Sequence, residues 1–260
     1  LTSEKRRRSF ALLGLGIGYK PSEKIEFYGN LSQNYRSVTF TDISIINPAY
    51  IINQNISDEK GFTTDLGFRG QLKKSFSFDA NLFRIFYDDR IGFVQKKFSD
   101  GSVKTERGNV GDAVLYGLES LIDFNIKEIS NIKNENFALN YFINFSLIES
   151  EYVKSLTPGV AGKKVEFVPK VNLKTGFKIG YQNYSLNVQY SYLSEQFSDS
   201  SNASIGNLSG VIGLIPSYDI LDLSSSYSKG AFRFEMGINN LLNGAYFTRR
   251  ATGYPGPGII

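Results

Sequence analysis

The chain has neither cysteine nor histidine. The first absence removes disulfides and thiol catalysis, and together they remove the usual zinc sites. Without imidazole no His-based catalytic triad is possible. Any enzyme built on these residues would be confined to carboxylate, lysine or tyrosine chemistry, and barrel-type lipases and proteases that depend on a histidine do not fit. No run approaches the ~18 apolar residues of a membrane-spanning helix. This leaves a membrane open, because barrel strands alternate apolar and polar residues and so average to a soluble-looking composition. Leu1–Arg8 is polar and has no apolar core of a signal peptide, so for an exported protein the true N-terminus is expected upstream.

What remains is β-forming. Among 260 residues there are 21 Phe, 16 Tyr and 25 Gly but one Met, and mean hydropathy is −0.20. Aromatic side chains suit a pleated surface and glycine suits bends. Alternation with a period of two recurs from end to end. Leu13, Leu15, Ile17 and Tyr19 alternate with glycines. Phe62, Leu66, Phe68 and Leu72 alternate with polar residues, as do Phe137, Leu139, Tyr141, Ile143, Phe145 and Leu147. About ten such segments are present, many of the ~9–11 residues that a tilted strand needs to cross a bilayer.

The connections fall into two classes that alternate strictly. Short ones lie at 20–24, 73–75, 127–136, 182–183 and 229–230; long ones lie at 37–61, 88–111, 149–164, 198–218 and 242–260. Outer-membrane barrels have short periplasmic turns and long outer loops. A soluble sandwich, the competing architecture, has no reason to sort loop lengths by end. The expected fold is therefore all-β: an antiparallel transmembrane β-barrel fragment of about ten meandering strands, forming an open sheet by itself. Ser99-Asp100-Gly101-Ser102 predicts a hairpin inside the second long link. Tyr19, Tyr116, Tyr152, Tyr181 and Tyr227 sit at strand ends, where aromatic girdles are expected.

Charged clusters have modest readings. Asp88, Asp89 and Arg90 could supply a carboxylate pair or a calcium site, but read better as a solvated rim with a local ion pair. Glu149 and Glu151 read the same way. Gly14-x-Gly16-x-Gly18 has no following helix, so it is a lumen-facing strand with small residues where something packs closely rather than a nucleotide fingerprint. Asn-x-Ser matches such as Asn30-Leu31-Ser32 lie within strands. Lys5–Arg8 suits anionic headgroups or plain solvation. No basic stripe with interleaved aromatics supports nucleic-acid binding. No catalytic residue, resident metal or cofactor is indicated.

Seven stretches, in order, resemble TonB-dependent outer-membrane receptors, nearest the ferric dicitrate and siderophore receptor group. They are Ile25–Asp42, Leu66–Gly92, Gly108–Glu119, Phe167–Phe177, Tyr190–Asn202, Ile215–Tyr227 and Ile238–Arg250. The last, with INNLLNGAYFTRR, is among the most specific. The resemblance implies that residues 1–260 are one partial barrel domain of an outer-membrane protein in a bacterium with two membranes. The plug, the N-terminal barrel strands and the last strand would lie outside it, and Ile260 would end inside an outer loop. It implies uptake of ferric citrate, another siderophore or a similar small ligand, driven by the TonB-ExbB-ExbD complex through the plug, with lipid and lipopolysaccharide as surroundings. A passive porin or adhesin barrel is the alternative. Arg249 and Arg250 then have two readings: forks for a carboxylate-rich iron chelate, or surface charge that meets lipopolysaccharide or packs on Tyr246 and Tyr254. Arg36 and Asn34, on the lumen side near the top of a strand, are the other ligand-binding candidates.

Overall fold

The computed structural model describes residues 9–44, 50–206 and 210–250, and the backbone of 258–259. The elements in chain order are β1 (Gly14–Ser22), β2 (Ile25–Arg36), α1 (Phe40–Ile43), β3 (Tyr50–Ile52), β4 (Glu59–Leu72), β5 (Phe76–Lys97), β6 (Val103–Asn125), α2 (Ile126–Ile129), β7 (Phe137–Lys154), β8 (Val171–Tyr181), β9 (Tyr184–Leu193), β10 (Gln196–Phe197), β11 (Leu214–Ile215), β12 (Tyr218–Lys229), β13 (Phe232–Asn239) and β14 (Gly258–Ile259). One antiparallel meander runs β1-β2-β4-β5-β6-β7-β8-β9-β12-β13-β14, and β10 pairs separately with β11. Its ten long strands match the ten alternating segments of the sequence. The sheet is open, as expected. The end of the chain differs from expectation: Ile259 and Gly258 pair with Ile238 and Asn239, so a further strand has begun on β13.

Register decides the two faces. Ile17 lies opposite Gly29, Leu66 opposite Leu82, and Leu82 opposite Leu118, which puts the apolar residues of successive strands in common rows. These rows are exposed: Ile17 is 74% accessible and Leu82 61%. An apolar face left uncovered along a whole sheet is what a lipid-facing wall requires. Near the short-turn end its rings form a continuous chain from Phe27 through Phe68, Phe78, Phe76, Phe124 and Tyr141 to Phe177, with centroids 4.8–6.3 Å apart. The opposite face is polar. Tyr28 donates to Asp79 at 2.6 Å, Arg69 to Glu26 at 3.1 Å and Asn30 to Asp65 at 3.3 Å. Gly67 makes room for the Tyr28 ring, which a Cβ there would strike. The Gly14–Gly18 row faces this side; at Gly18 an added Cβ would come within 3.2 Å of the Glu26 carboxylate, whereas at Gly16 it would meet only the Gly29 carbonyl oxygen, 3.9 Å away.

Tyr152 departs from its expected place in the girdle. It is even-numbered in β7, whose outward row is odd, and it is fully buried. It belongs to the main core, formed with Val110, Ala113, Val160 and Val165 and flanked by Tyr87, Val94, Leu115 and Val168. That core lies at the long-loop end.

The predicted hairpin is present, and it is a continuation of the sheet. β5 and β6 run 22 and 23 residues and meet at a turn in which Gly101 has φ +83° and the Asp100 carboxylate accepts from the Ser102 N–H and hydroxyl. Bulges interrupt their pairing around Arg90, which lies opposite Gly111 (φ +152°) and follows Asp89 at φ +54°. Bulges bend and twist a ribbon, and here the ribbon's neighbours exchange sides. Below the bulges β4 flanks β5 and β7 flanks β6. Above them β3, which precedes β4 in sequence, pairs with β6, while Ser200, from the loop after β9, donates its N–H to Phe93 of β5 at 3.0 Å. The arm beyond the bulges is thus gripped by two loops from opposite sides of the sheet.

Candidate functional site

A cleft of about 940 Å³ opens beside this arm. β2 contributes Asn34, Tyr35 and Arg36; the following loop and β3 give Asp42 and Tyr50; β4 gives Glu59. The arm supplies Arg90, Phe93 and Arg107, and later loops supply Glu166, Phe167, Arg249 and Arg250. All four binding candidates from the sequence therefore line one cavity, although more than 200 positions separate Asn34 from Arg250.

Their local roles differ. Asn34 donates to Thr63 on the neighbouring strand at 2.6 Å. Arg36 holds both oxygens of Asp42, at 2.8 and 2.9 Å, and Glu59 at 3.0 Å. Arg250 donates to the carbonyls of Gly210 and Leu214, at 3.2 and 2.8 Å, so it fastens its loop to the preceding one. Its guanidinium lies over Phe247, 5.9 Å from the ring centroid. Of the two tyrosines offered as packing partners, Tyr246 stacks instead on Tyr218, and Tyr254 lies outside the described residues, as does Lys5–Arg8. Arg249 is exposed and stands over Phe167 at 5.8 Å.

The sequence reading missed several groups that build the floor. Asp42 is 2% exposed and takes Arg107 Nη2 at 2.7 Å and Nε at 3.2 Å in addition to Arg36. The Thr39 N–H and hydroxyl also donate to it, at 2.9 and 2.7 Å. Burial opposes its charge, but these donors outweigh burial and hold the carboxyl well below the usual carboxylate range. Glu166 is equally buried and accepts from the Tyr152 hydroxyl at 2.7 Å, the Phe93 N–H at 3.1 Å and Arg90 at 3.2 Å. Burial and the neighbouring Glu166 both push the Tyr152 phenol up, so it stays protonated as a donor. Arg90 therefore corrects the rim reading: it leaves Asp88 and Asp89 and enters a buried network. Asp88, Asp89 and Asp112 stay outside the cleft, with Lys154 3.7 Å from Asp112. Glu149 keeps its rim role, paired with Lys164 and with Lys170 at 2.6 Å.

The Thr39-x-x-Asp42 spacing at the start of α1 was the available signal for Asp42, since it has the form of a helix-capping pair. Arg107 and Glu166 had none, because only the folded arm brings them to the cleft. The assembled wall is cationic and aromatic. Arg36, Lys60, Arg90, Arg107, Arg249 and Arg250 face Asp42, Glu59 and Glu166, interleaved with Tyr35, Tyr50, Tyr87, Phe93 and Phe167. Arg107 lies over Phe93 at 4.5 Å, and Phe93 meets Tyr50 at 5.4 Å. Such a surface suits an anionic ligand with planar parts.

The model of the TonB dependent receptor-like β-barrel family matches residues 2–241. The chain belongs to that family. Receptor barrels of this kind reside in the outer membrane of Gram-negative bacteria, so the exposed apolar rows face lipid and the cleft faces outward. The solved structures similar to this receptor barrel include the unliganded ferric citrate transporter FecA, with TM-score 0.72 and 19% identity over 95% of this chain and 37% of that one. The siderophore receptor PiuA from Acinetobacter baumannii aligns with TM-score 0.63 and 19% identity, over 95% of this chain and 34% of its own. A mutant of the ferric enterobactin receptor PfeA from Pseudomonas aeruginosa, in complex with enterobactin, aligns with TM-score 0.62 and 15% identity, over 95% and 39%. The receptor barrel thus spans little more than a third of each of these structures. No curated protein matches its sequence.

Proposed function

We propose that this barrel segment forms part of the ligand-binding vestibule of a TonB-dependent receptor that takes up an anionic ferric chelate, such as ferric citrate or another siderophore. The observation that carries the reading is the cleft, where six basic and three acidic side chains stand among aromatic rings on the outer side. Guanidinium forks match carboxylate geometry, and aromatic faces accept planar ligand groups. The ligands named in the similar structures each match one part of this: ferric citrate brings carboxylates and enterobactin planar catechol rings. The chain supplies binding surface and no covalent chemistry. Energy would come from the TonB-ExbB-ExbD complex acting on a plug encoded outside this segment, as would the rest of the barrel wall.

Arg249 and Arg250 separate under test. In the intact receptor, Arg249→Ala is expected to weaken ferric chelate binding about tenfold, the loss of one charge-assisted contact. Arg250→Ala should loosen the loops around 210–214, seen as faster hydrogen exchange there. Unchanged affinity in the Arg249 variant would remove that residue from the site.

A further inference from the structure

Asp42 lies between two guanidiniums of the cleft, those of Arg36 and Arg107. Arg36 projects from the end of β2 and keeps a second anchor on Glu59, which also accepts the Ile91 N–H at 2.6 Å. Arg107 projects from the arm and rests on the Phe93 ring. Without Asp42, Arg36 would keep its bond to Glu59 and Arg107 its seat on the Phe93 ring. The carboxylate itself is carried on α1, a single helical turn of four residues. Fixed forks on rigid strands, filled by a carboxylate from a short loop element, are arranged as a receptor for a carboxylate already occupied by one.

We propose that Arg36 and Arg107 form the oxyanion-binding pair of the cleft, and that Asp42 is an internal stand-in which an incoming ligand carboxylate must displace. The inference rests on the anionic-chelate reading and names the residues that select within it. Exchange of one carboxylate for another conserves the charge-assisted hydrogen bonds, so displacement requires only movement of the α1 loop. A ligand without a paired oxyanion cannot make the exchange: expelling Asp42 would leave Arg107 without a counter-charge and Arg36 with Glu59 alone. Asp42 therefore penalises neutral chelates and lets through those that bring their own carboxylate, which is selection by a built-in competitor. It also lowers apparent affinity, because only the fraction of molecules with Asp42 released is competent to bind.

The test uses the intact receptor with two probes, ferric citrate and a neutral ferric trihydroxamate, measured by calorimetry or fluorescence quenching. Asp42→Asn keeps the shape and removes the charge. It should bind ferric citrate about tenfold more tightly, the gain expected if about a tenth of wild-type molecules have Asp42 released. Thr39→Val removes one donor to Asp42 and leaves every charge in place, so it should shift affinity in the same direction by less. In an Arg107→Lys background, which loses the planar fork, the gain from Asp42→Asn should disappear. Heat-modifiable migration on gels reports that each variant is folded. If wild type binds ferric citrate but folded Asp42→Asn binds it equally or less well, the stand-in role is overturned. If wild type binds the neutral probe and not ferric citrate, the anionic-chelate reading fails and takes this inference with it.

Discussion

The wall and the cap of this molecule are built on opposite principles. In the wall, between the short turns and the bulges, the large apolar side chains point outward and stay exposed, while the inner face is tied by polar pairs such as Tyr28–Asp79 and Arg69–Glu26. Cohesion there comes from the strand ladder and from lipid, which takes the place of a core. In the cap, beyond the bulges, Tyr152, Val110, Val160 and Val165 are buried as in a soluble domain, and the buried carboxylates Glu166 and Asp42 are each bonded in a network. The same strands, β5, β6 and β7, pass through both regions. The environment outside the chain, more than its local sequence, decides which arrangement is stable.

The contrast can be broken from either side. The largest expected effect is in the cap. Glu166→Ala leaves Arg90 buried without a counter-charge and the Tyr152 hydroxyl without its acceptor, a loss of about 3–5 kcal/mol for a broken buried pair. Proteolysis and hydrogen exchange should show the outer loops opening while heat-modifiable migration of the barrel persists. In the wall, Leu82→Arg places a charge on the lipid face and should cost about 2–4 kcal/mol near the middle of the span. It should lower the barrel's unfolding midpoint without raising exchange in the loops. A smaller effect is expected at Gly92, where an added Cβ would collide with the Glu166 carboxylate and lie 2.8 Å from Val110. Gly92→Ala should loosen the cap by about 1–3 kcal/mol, the usual range for overpacking. The smallest effect is with pH. The folded-state value of Asp42 is depressed, so the stability it contributes is complete above its unfolded value, about 3.9, and is lost as pH falls through the folded one. Protection factors around α1, corrected for the intrinsic pH dependence of amide exchange, should therefore be the same at pH 7 and at pH 5, and a fall in protection within that interval would show that Arg36, Arg107 and Thr39 do not hold the carboxylate as described.

The same contrast explains how much could be read in advance. The wall was legible because a period of two fixes faces and loop length fixes ends, and each of the ten segments became a strand. The Asp-Gly hairpin was legible because its turn is local. The cap was legible only in part. Arg36, Asn34, Arg249 and Arg250 stand at strand tops and in outer loops, where ligands arrive, and they line one cleft. Arg107 lies 71 positions after Arg36 and reaches it only because the bulges turn the arm inward. Tyr152 was placed in the girdle from its position at a strand end, yet it is out of phase with Phe145 and Leu147, and that parity already pointed it to the inner face. Arg90 was read with its sequence neighbours, whereas its partner Glu166 comes from a loop 76 positions away.

The exchange of neighbours at the Arg90–Gly111 bulge has an evolutionary consequence. Because the arm carries β3 on one edge and Ser200 on the other, the loop before β4 and the loop after β9 share a common splint. Insertions in one alter the seat of the other. Ligand preference in such a barrel should therefore drift by paired changes in these two loops, and a loop transplanted alone from a relative would arrive without the edge it was shaped to grip.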